Sequence, residues 1–234
     1  MQLIQSEKMS ALGSLAAGLL HEINNPLNFT MTALQVAGES VPESDEDLKE
    51  AMKDMGEGMG RIRDIVADLR TFAHPSREGM RDRFDLGESL DAALRLVAHE
   101  VKDIAVERDL QPGCWVVGAR NQITHVLMNL LVNSAKALRG APAGRRPLIR
   151  VLSRSNEGRL HIRVFDNGSG IKLEVLPRVF DPFFTTRDVG EGMGLGLSIC
   201  HTIVRNHGGT IVASSREGEW TEVAFDLPLE SEGI

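Results

Sequence analysis

Leu20-His21-Glu22-Ile23-Asn24-Asn25-Pro26-Leu27 sets a histidine and a carboxylate inside an otherwise apolar, helical stretch. Residues three and four apart share a helix face, so His21 lies beside Asn25, and Glu22 neighbours Asn25 as well. An imidazole next to a carboxylate is a nucleophile with its own base. The same pair also occurs as surface decoration, so the reading needs support from the rest of the chain. Working outward, helical character runs from about Glu7 to Gly38. Leu12, Ala16, Leu19 and Ile23 recur in alternating steps of four and three. After Pro26 the apolar set shifts to Leu27, Met31 and Leu34. An interior proline removes a backbone hydrogen bond, which predicts a bend one turn after His21.

Val41-Pro42-Glu43-Ser44-Asp45 reads as a turn followed by a helix start. The second helix runs to about Phe72, with apolar positions Leu48, Met52, Met55, Met59, Ile62, Val66 and Leu69. Their four-three alternation is a heptad seam. One hairpin covers such a seam poorly, whereas two copies paired as a four-helix bundle cover it well. The alternative is a monomeric hairpin packed on the rest of the chain. His21 falls between seam positions and is expected to point to solvent.

The 234 residues allow one large domain or two small ones, and 42% hydrophobic content supports a real core. Tyr is absent and aromatics make up only 4%, so that core is aliphatic. A formal net charge of -7 argues against nucleic acid as a partner, since phosphate binding wants a basic face. Cys114 and Cys200 read as small buried hydrophobes in a reduced compartment. No apolar run reaches the ~18 residues of a membrane span, so no membrane contact is expected within this stretch. A cytoplasmic location follows. The abrupt, mid-helix start is compatible with a longer parent that carries a sensor or anchor upstream.

His74-Pro75-Ser76-Arg77-Glu78-Gly79 has a linker's composition. The expected division is residues 1–76, a linker at 77–83, and residues 84–234. The second part alternates differently. A short strand at Phe84–Leu86 precedes a helix from about Glu88 to Val101. Strands follow near Ile104–Leu110 and Trp115–Val117, then a helix at Gln122–Leu138. Two more strands lie near Leu148–Ser153 and Leu160–Phe165, then a helix at Leu195–Asn206 and strands near Thr210–Ser214 and Glu222–Asp226. This is an α+β pattern, with helices on one face of a mixed sheet.

Three motifs stand out there. In Asn129-Leu130-Leu131-Val132-Asn133-Ser134-Ala135-Lys136, the residues Asn129, Asn133 and Lys136 make one polar stripe on an apolar helix. Amide oxygens suit a hard cation such as Mg²⁺ and a lysine suits phosphate, although helix capping or surface polarity explains the stripe equally well. Asp166-Asn167-Gly168-Ser169-Gly170-Ile171 directly follows a strand. A carboxylate there accepts a hydrogen bond from an exocyclic amine, and the glycines allow a ligand close; taken alone it is a surface turn. Gly190-Glu191-Gly192-Met193-Gly194-Leu195-Gly196-Leu197-Ser198 runs into a helix, where bared backbone N–H groups form an anion site. It is neither a P-loop, since no Gly-Lys-Ser/Thr follows, nor the dinucleotide fingerprint.

In this order and at these separations, the motifs resemble the catalytic core of sensor histidine kinases of two-component systems. The resemblance spans the whole chain. It implies an all-α helical hairpin, forming a four-helix bundle in the homodimer, followed by an α+β sandwich of the GHKL ATPase type. His21 matches the phosphorylated residue of the H-box, and Asn133 matches the Mg²⁺-binding residue of the N-box. Asn129 stands at its other asparagine and Lys136 at a phosphate-contacting position. Asp166 matches the adenine-binding aspartate, with Gly168 and Gly170 shaping its pocket. Phe180-Asp181-Pro182-Phe183-Phe184-Thr185-Thr186-Arg187 resembles the F-box that opens the ATP lid. Phe183 and Phe184 carry its aromatic pair, and Arg187 stands where many members have Lys. Gly192, Gly194 and Gly196, with Leu195 among them, match the second glycine box. Thr221 fits a closing element, although Trp220 replaces the usual glycine before it.

The implied activity is ATP- and Mg²⁺-dependent phosphorylation of His21 and transfer to an Asp of a response regulator. Glu22 assists the imidazole. Asn25, by its place in a Glu-x-x-Asn pattern, orients water for dephosphorylating the regulator. A conformational ATPase of the same superfamily is the main rival, but it has no use for the histidine on a heptad helix. A nucleotide-binding scaffold and a dominant phosphatase are further alternatives.

Overall fold

The computed structural model describes residues 23, 26–38, 45–73, 82–113, 115–140, 144–186 and 194–229. The chain divides into two compact units, Met1–Arg77 and Glu78–Ile234.

The first unit pairs a helix, α1 (residues 26–38), with α2 (Glu46–Ala73). Asp45 starts α2, its Oδ1 accepting the Leu48 N–H at 3.1 Å, and Glu46 and Asp47 complement the positive end of the helix. Leu27 and Val66 are buried. A Cβ built on Gly56 would touch Leu34, and one on Gly38 would touch Met52, so the two helices approach closely at small residues. The heptad seam is split. Met52 and Met59 are half-buried and Val66 is buried, whereas Leu48, Met55 and Ile62, spaced by sevens, are 43%, 52% and 43% exposed. One row of the seam thus packs within the hairpin, and the other stands open in a single chain. The bend expected at Pro26 lies outside the described residues on its N-terminal side.

The second unit contains β1 (Asp82–Asp85), α3 (Leu86–Leu96), β2 (Ala105–Asp109), β3 (Trp115–Gly118), α4 (Arg120–Arg139), β4 (Leu148–Asn156), β5 (Arg159–Asp166), α5 (Gly196–Asn206), β6 (Ile211–Arg216) and β7 (Trp220–Pro228). Its five-stranded sheet has the order β2-β4-β5-β7-β6, parallel at β2–β4 and antiparallel elsewhere, and β1 pairs separately with β3. Side chains alternate across a strand. In register, Val151, Val164 and Val223 are buried on the face that packs against α4 and α5, as are Ile162 and Phe225. Arg150, Arg154 and Arg163 point the other way and are exposed. The aliphatic helix face of Ile123, Leu127, Leu130, Leu131 and Leu138 completes this core, with Leu90 of α3 and Ile199 and Ile203 of α5.

Both boundaries of α3 differ from the sequence reading. Leu86 opens α3 rather than closing a strand, because the Asp85 side chain caps the helix by accepting the Gly87 N–H at 2.7 Å. The same helix ends at Leu96, five residues before Val101. Val97 caps it, and the chain then turns, with Glu100 N–H donating to the Val97 carbonyl at 2.9 Å. At the far end of the unit, His207 ties α5 to the start of α4. Its Nδ1 lies 2.8 Å from the Ile203 carbonyl and its Nε2 accepts the Ala119 N–H at 3.0 Å, which requires the neutral Nδ1–H tautomer.

The open row on α2 leads to a first prediction. Met55→Asp or Ile62→Asp places a charge where a second copy would bury it, and each is expected to convert a dimer to monomers in light scattering. A fragment beginning at Arg83 is expected to be monomeric and folded; a dimeric fragment would place self-association elsewhere.

Candidate nucleotide site

Asp166, the last residue of β5, is 3% exposed. Its Oδ1 accepts the Gly168 N–H at 3.0 Å and its Oδ2 accepts the Ser134 hydroxyl at 2.9 Å. Among the described residues no cation pairs with it. Desolvation outweighs the opposing pull of the bonds from Gly168 and Ser134 and leaves its carboxyl pushed up to about 6. Opposite it in register stands Thr221, also buried. Its Oγ1 lies 3.1 Å from the Ser215 hydroxyl, which itself donates to the Trp220 carbonyl at 2.6 Å and accepts the Ile171 N–H at 2.8 Å. The Trp220 indole stacks on Phe165 at 6.2 Å between ring centroids.

The turn after Asp166 is wedged between α4 and the β6–β7 hairpin. Ser169 N–H donates to the Ala137 carbonyl at 3.1 Å, and Gly218 N–H donates to the Ser169 carbonyl at 2.7 Å. Asn167 accepts the Leu148 N–H at 2.9 Å and donates to the Arg146 carbonyl at 3.0 Å. A Cβ at Gly168 would come within 2.8 Å of Ala137 backbone, and Gly170 has φ +67° with the Arg216 carbonyl where a Cβ would sit. Neither position admits a side chain without displacing backbone.

The polar stripe on α4 is half-buried at Asn129, Asn133 and Lys136. Asn129 Nδ2 is buried with no hydrogen-bond partner among the described residues, and a Cβ on Gly196, the first residue of α5, would stand 3.8 Å from the Asn129 side chain. Leu195 precedes that helix without offering a side-chain cap, and is itself buried. Gly194 has φ +67° and packs on the Phe184 carbonyl. Phe183 is half exposed with φ +63°, and Phe184 lies beneath the Arg178 guanidinium, 4.4 Å from the ring centroid. The donor set fits a metal-bound triphosphate: amide oxygen for a hard cation, and an orphaned amide, an ammonium and an uncapped helix N-terminus for phosphate. Arg187 and Gly192 lie outside the described residues, as do His21, Glu22, Asn25 and Cys114.

The sequence reading missed Ser134 and Ser215. Ser134 had a signal: it lies not on the polar stripe but on the core face, in step with Leu127, Leu130, Leu131 and Leu138. A hydroxyl there must find an acceptor.

Residues 11–78 match the family described as the His Kinase A (phospho-acceptor) domain. Residues 118–231 match the histidine kinase-, DNA gyrase B- and HSP90-like ATPases. The chain belongs to the sensor histidine kinases. The two-component sensor PprA of Pseudomonas aeruginosa is 34% identical over 97% of this chain and 25% of its own length. Sensor histidine kinase ZraS of Escherichia coli is 31% identical over 96% of the chain and 47% of its own. Among solved structures, histidine kinase ThkA in complex with response regulator protein TrrA superposes with a TM-score of 0.63 at 27% identity, over 95% of this chain and 63% of that one. The chain thus spans a quarter to about half of the length of these curated relatives. In this histidine kinase core, Asp166, Gly168, Gly170 and Thr221 line one corner of the ATP-binding unit, and Asn129 meets the start of α5 at another.

An aspartate whose carboxyl is raised on folding binds its proton more tightly in the folded chain than in the unfolded one. Stability therefore falls as pH rises between the ordinary aspartate value of 3.8 and about 6. The charged form costs on the order of 3 kcal/mol at neutral pH. Asp166→Asn is expected to raise the melting temperature of the ligand-free protein by roughly a few degrees at pH 7.5. The gain should vanish near pH 4. Calorimetry across pH checks it, and a gain that persists at pH 4 would mean the carboxylate's charge is not the cause.

Proposed function

We propose that the chain is the catalytic core of an ATP-dependent protein-histidine kinase that autophosphorylates His21 and passes the phosphoryl group to an Asp of a response regulator. Residues 1–76 act as the dimerisation and phosphotransfer domain, 77–83 as a linker, and 84–234 as the catalytic domain. The observation that carries this reading is Asp166: a buried carboxylate with no paired cation among the described residues, held open by two neutral donors where a strand ends. Such a group is suited to receive the exocyclic amine of adenine. The match of the chain's first part to a phospho-acceptor domain containing His21 supplies the nucleophile.

In this mechanism an imidazole nitrogen of His21 attacks the γ-phosphorus of ATP, the bond to the β-phosphate oxygen breaks, and ADP leaves. Glu22 accepts the proton or hydrogen bond of the other ring nitrogen. Lys136 and Arg187 place positive charge against the transferred group. Asn133 would hold Mg²⁺, which when bound neutralises triphosphate charge. Phe183 and Phe184 open the lid that covers the nucleotide. Asn25 orients water for the reverse duty, dephosphorylating the regulator. Pairing of two copies through the open row of α2 gives the homodimer. The regulator partner follows from likeness to ThkA, which was solved with TrrA. A cytoplasmic location accords with the absence, among the described residues, of any helix long and apolar enough to cross a membrane.

Incubation with γ-labelled ATP and Mg²⁺ tests the reading. Acid-labile, base-stable label on the protein is expected, and free phosphate alone would point to a conformational ATPase instead. His21→Gln is expected to abolish the label while leaving nucleotide affinity nearly unchanged. Asp166→Ala should weaken ATP binding by roughly 10–100-fold, the loss of a hydrogen bond to a charged acceptor.

The two residues beside His21 should separate. Glu22→Ala is expected to cut autophosphorylation. Asn25→Ala should spare it and slow loss of label from a phosphorylated regulator, since an amide orients water but is no base. Loss of autophosphorylation in Asn25→Ala with dephosphorylation unchanged would reverse that assignment.

A further inference from the structure

Among the described residues Asp166 accepts two hydrogen bonds. Gly168 N–H takes one lone pair of Oδ1, and the Ser134 hydroxyl takes one lone pair of Oδ2. The first is local, bridging two residues of one turn. The second comes from a different element, the core face of α4, and fixes how the carboxylate plane is rotated about its bond to Cβ. Ser134 is itself 5% exposed, so its hydroxyl has little competition from solvent.

We propose that Ser134 is a positioning residue for base selection: by anchoring Oδ2 it aims the remaining lone pairs of Asp166 at the exocyclic amine, and so sets the preference for adenine over a base with a carbonyl there. The inference rests on Asp166 contacting the base, as read above. Ser134 need not touch the nucleotide.

Two consequences of losing the hydroxyl act in the same direction. The carboxylate becomes free to rotate, and an acceptor that points elsewhere is lost to the amine. It also loses one of the two donors that favour its ionised form, and desolvation already opposes that form. A protonated carboxyl presents an O–H donor toward a donor amine, which repels adenine but not a carbonyl. Among the described residues no cation substitutes. Arg139 of α4 pairs with Glu100. Arg216 of the β6–β7 hairpin pairs with Glu219. Arg150 of β4 and Glu222 of β7 stand in register with Phe165, one residue away, and so face the opposite side of the sheet.

The test is calorimetric binding of MgADP and MgIDP to the full chain at pH 7, for the native protein and for Ser134→Ala, Ser134→Cys and Asp166→Asn. Inosine carries a carbonyl in place of the amine. The native chain is expected to prefer ADP. Ser134→Ala should lower ADP affinity by about tenfold and leave IDP affinity near its native value, so that the preference collapses. Ser134→Cys, nearly isosteric but a weak donor, should do the same to a smaller degree and serves if the alanine variant fails to fold. Equal losses for both nucleotides would assign Ser134 to packing alone and overturn the proposal, as would an unchanged preference in both variants. A native chain with no preference, matched by Asp166→Asn, would instead bring down the reading of Asp166 itself.

Discussion

The ATP-binding unit is arranged around one unfavourable fact, a carboxylate taken out of water with no cation among the described residues to meet it. A buried charge survives only where hydrogen bonds replace its hydration. Here they come from a hydroxyl on α4 and a backbone N–H two residues along the chain. The turn after Asp166 must therefore fold back tightly enough to aim that N–H at Oδ1. Its closeness to Ala137 and to the Arg216 carbonyl excludes side chains at Gly168 and Gly170. The strand end, the last turns of α4 and the β6–β7 hairpin are thus held together by one requirement: α4 contributes the Ser134 hydroxyl and the Ala137 carbonyl, and the hairpin the Gly218 N–H and the Ser215 hydroxyl.

The helical unit obeys a different constraint. A heptad seam has two rows, and a hairpin of two helices covers only one of them. Met52, Met59 and Val66 lie on the covered row, and Leu48, Met55 and Ile62 on the open one. Burying a large aliphatic side chain is worth about 1.5–3 kcal/mol. The open row therefore represents a large unrealised stabilisation in a lone chain, and association through this face is the reading that accounts for it.

Much of the architecture was legible because the local signals agreed with the global fold. Leu127, Leu130, Leu131 and Leu138 recur with helical period, and the strands β4, β5 and β7 alternate between aliphatic and charged residues. The boundaries were less legible where a side chain rather than periodicity decides them. The cap on α3 by Asp85 moved that helix start to Leu86, and an early turn after Leu96 shortened it, though the apolar pattern runs on through Val97 and Val101. Within the site, Asp166 and its glycines were readable because strand-end carboxylates and glycine turns have a chemical signature. Ser134 was not singled out, because it adjoins Asn133 and was absorbed into a polar motif. Only the fold shows that it faces the core and not the stripe.

That distinction gives α4 its role. A helix turns about 100° per residue, so Asn133 and Ser134, adjacent in sequence, open onto different surroundings. Asn129, Asn133 and Lys136 form a stripe along one side, with the unpartnered Asn129 amide beside the start of α5. Ser134 reaches from the other side to the end of β5. The same helix therefore presents groups suited to the phosphate end of a nucleotide and steadies the group suited to its base. The aliphatic residues between them lock its rotation, because turning α4 to improve one contact would pull Leu130, Leu131 and Leu138 from the core. The groups suited to base and to phosphate are in this way tied to a single rigid element, and the spacing between them is set by packing rather than by loops.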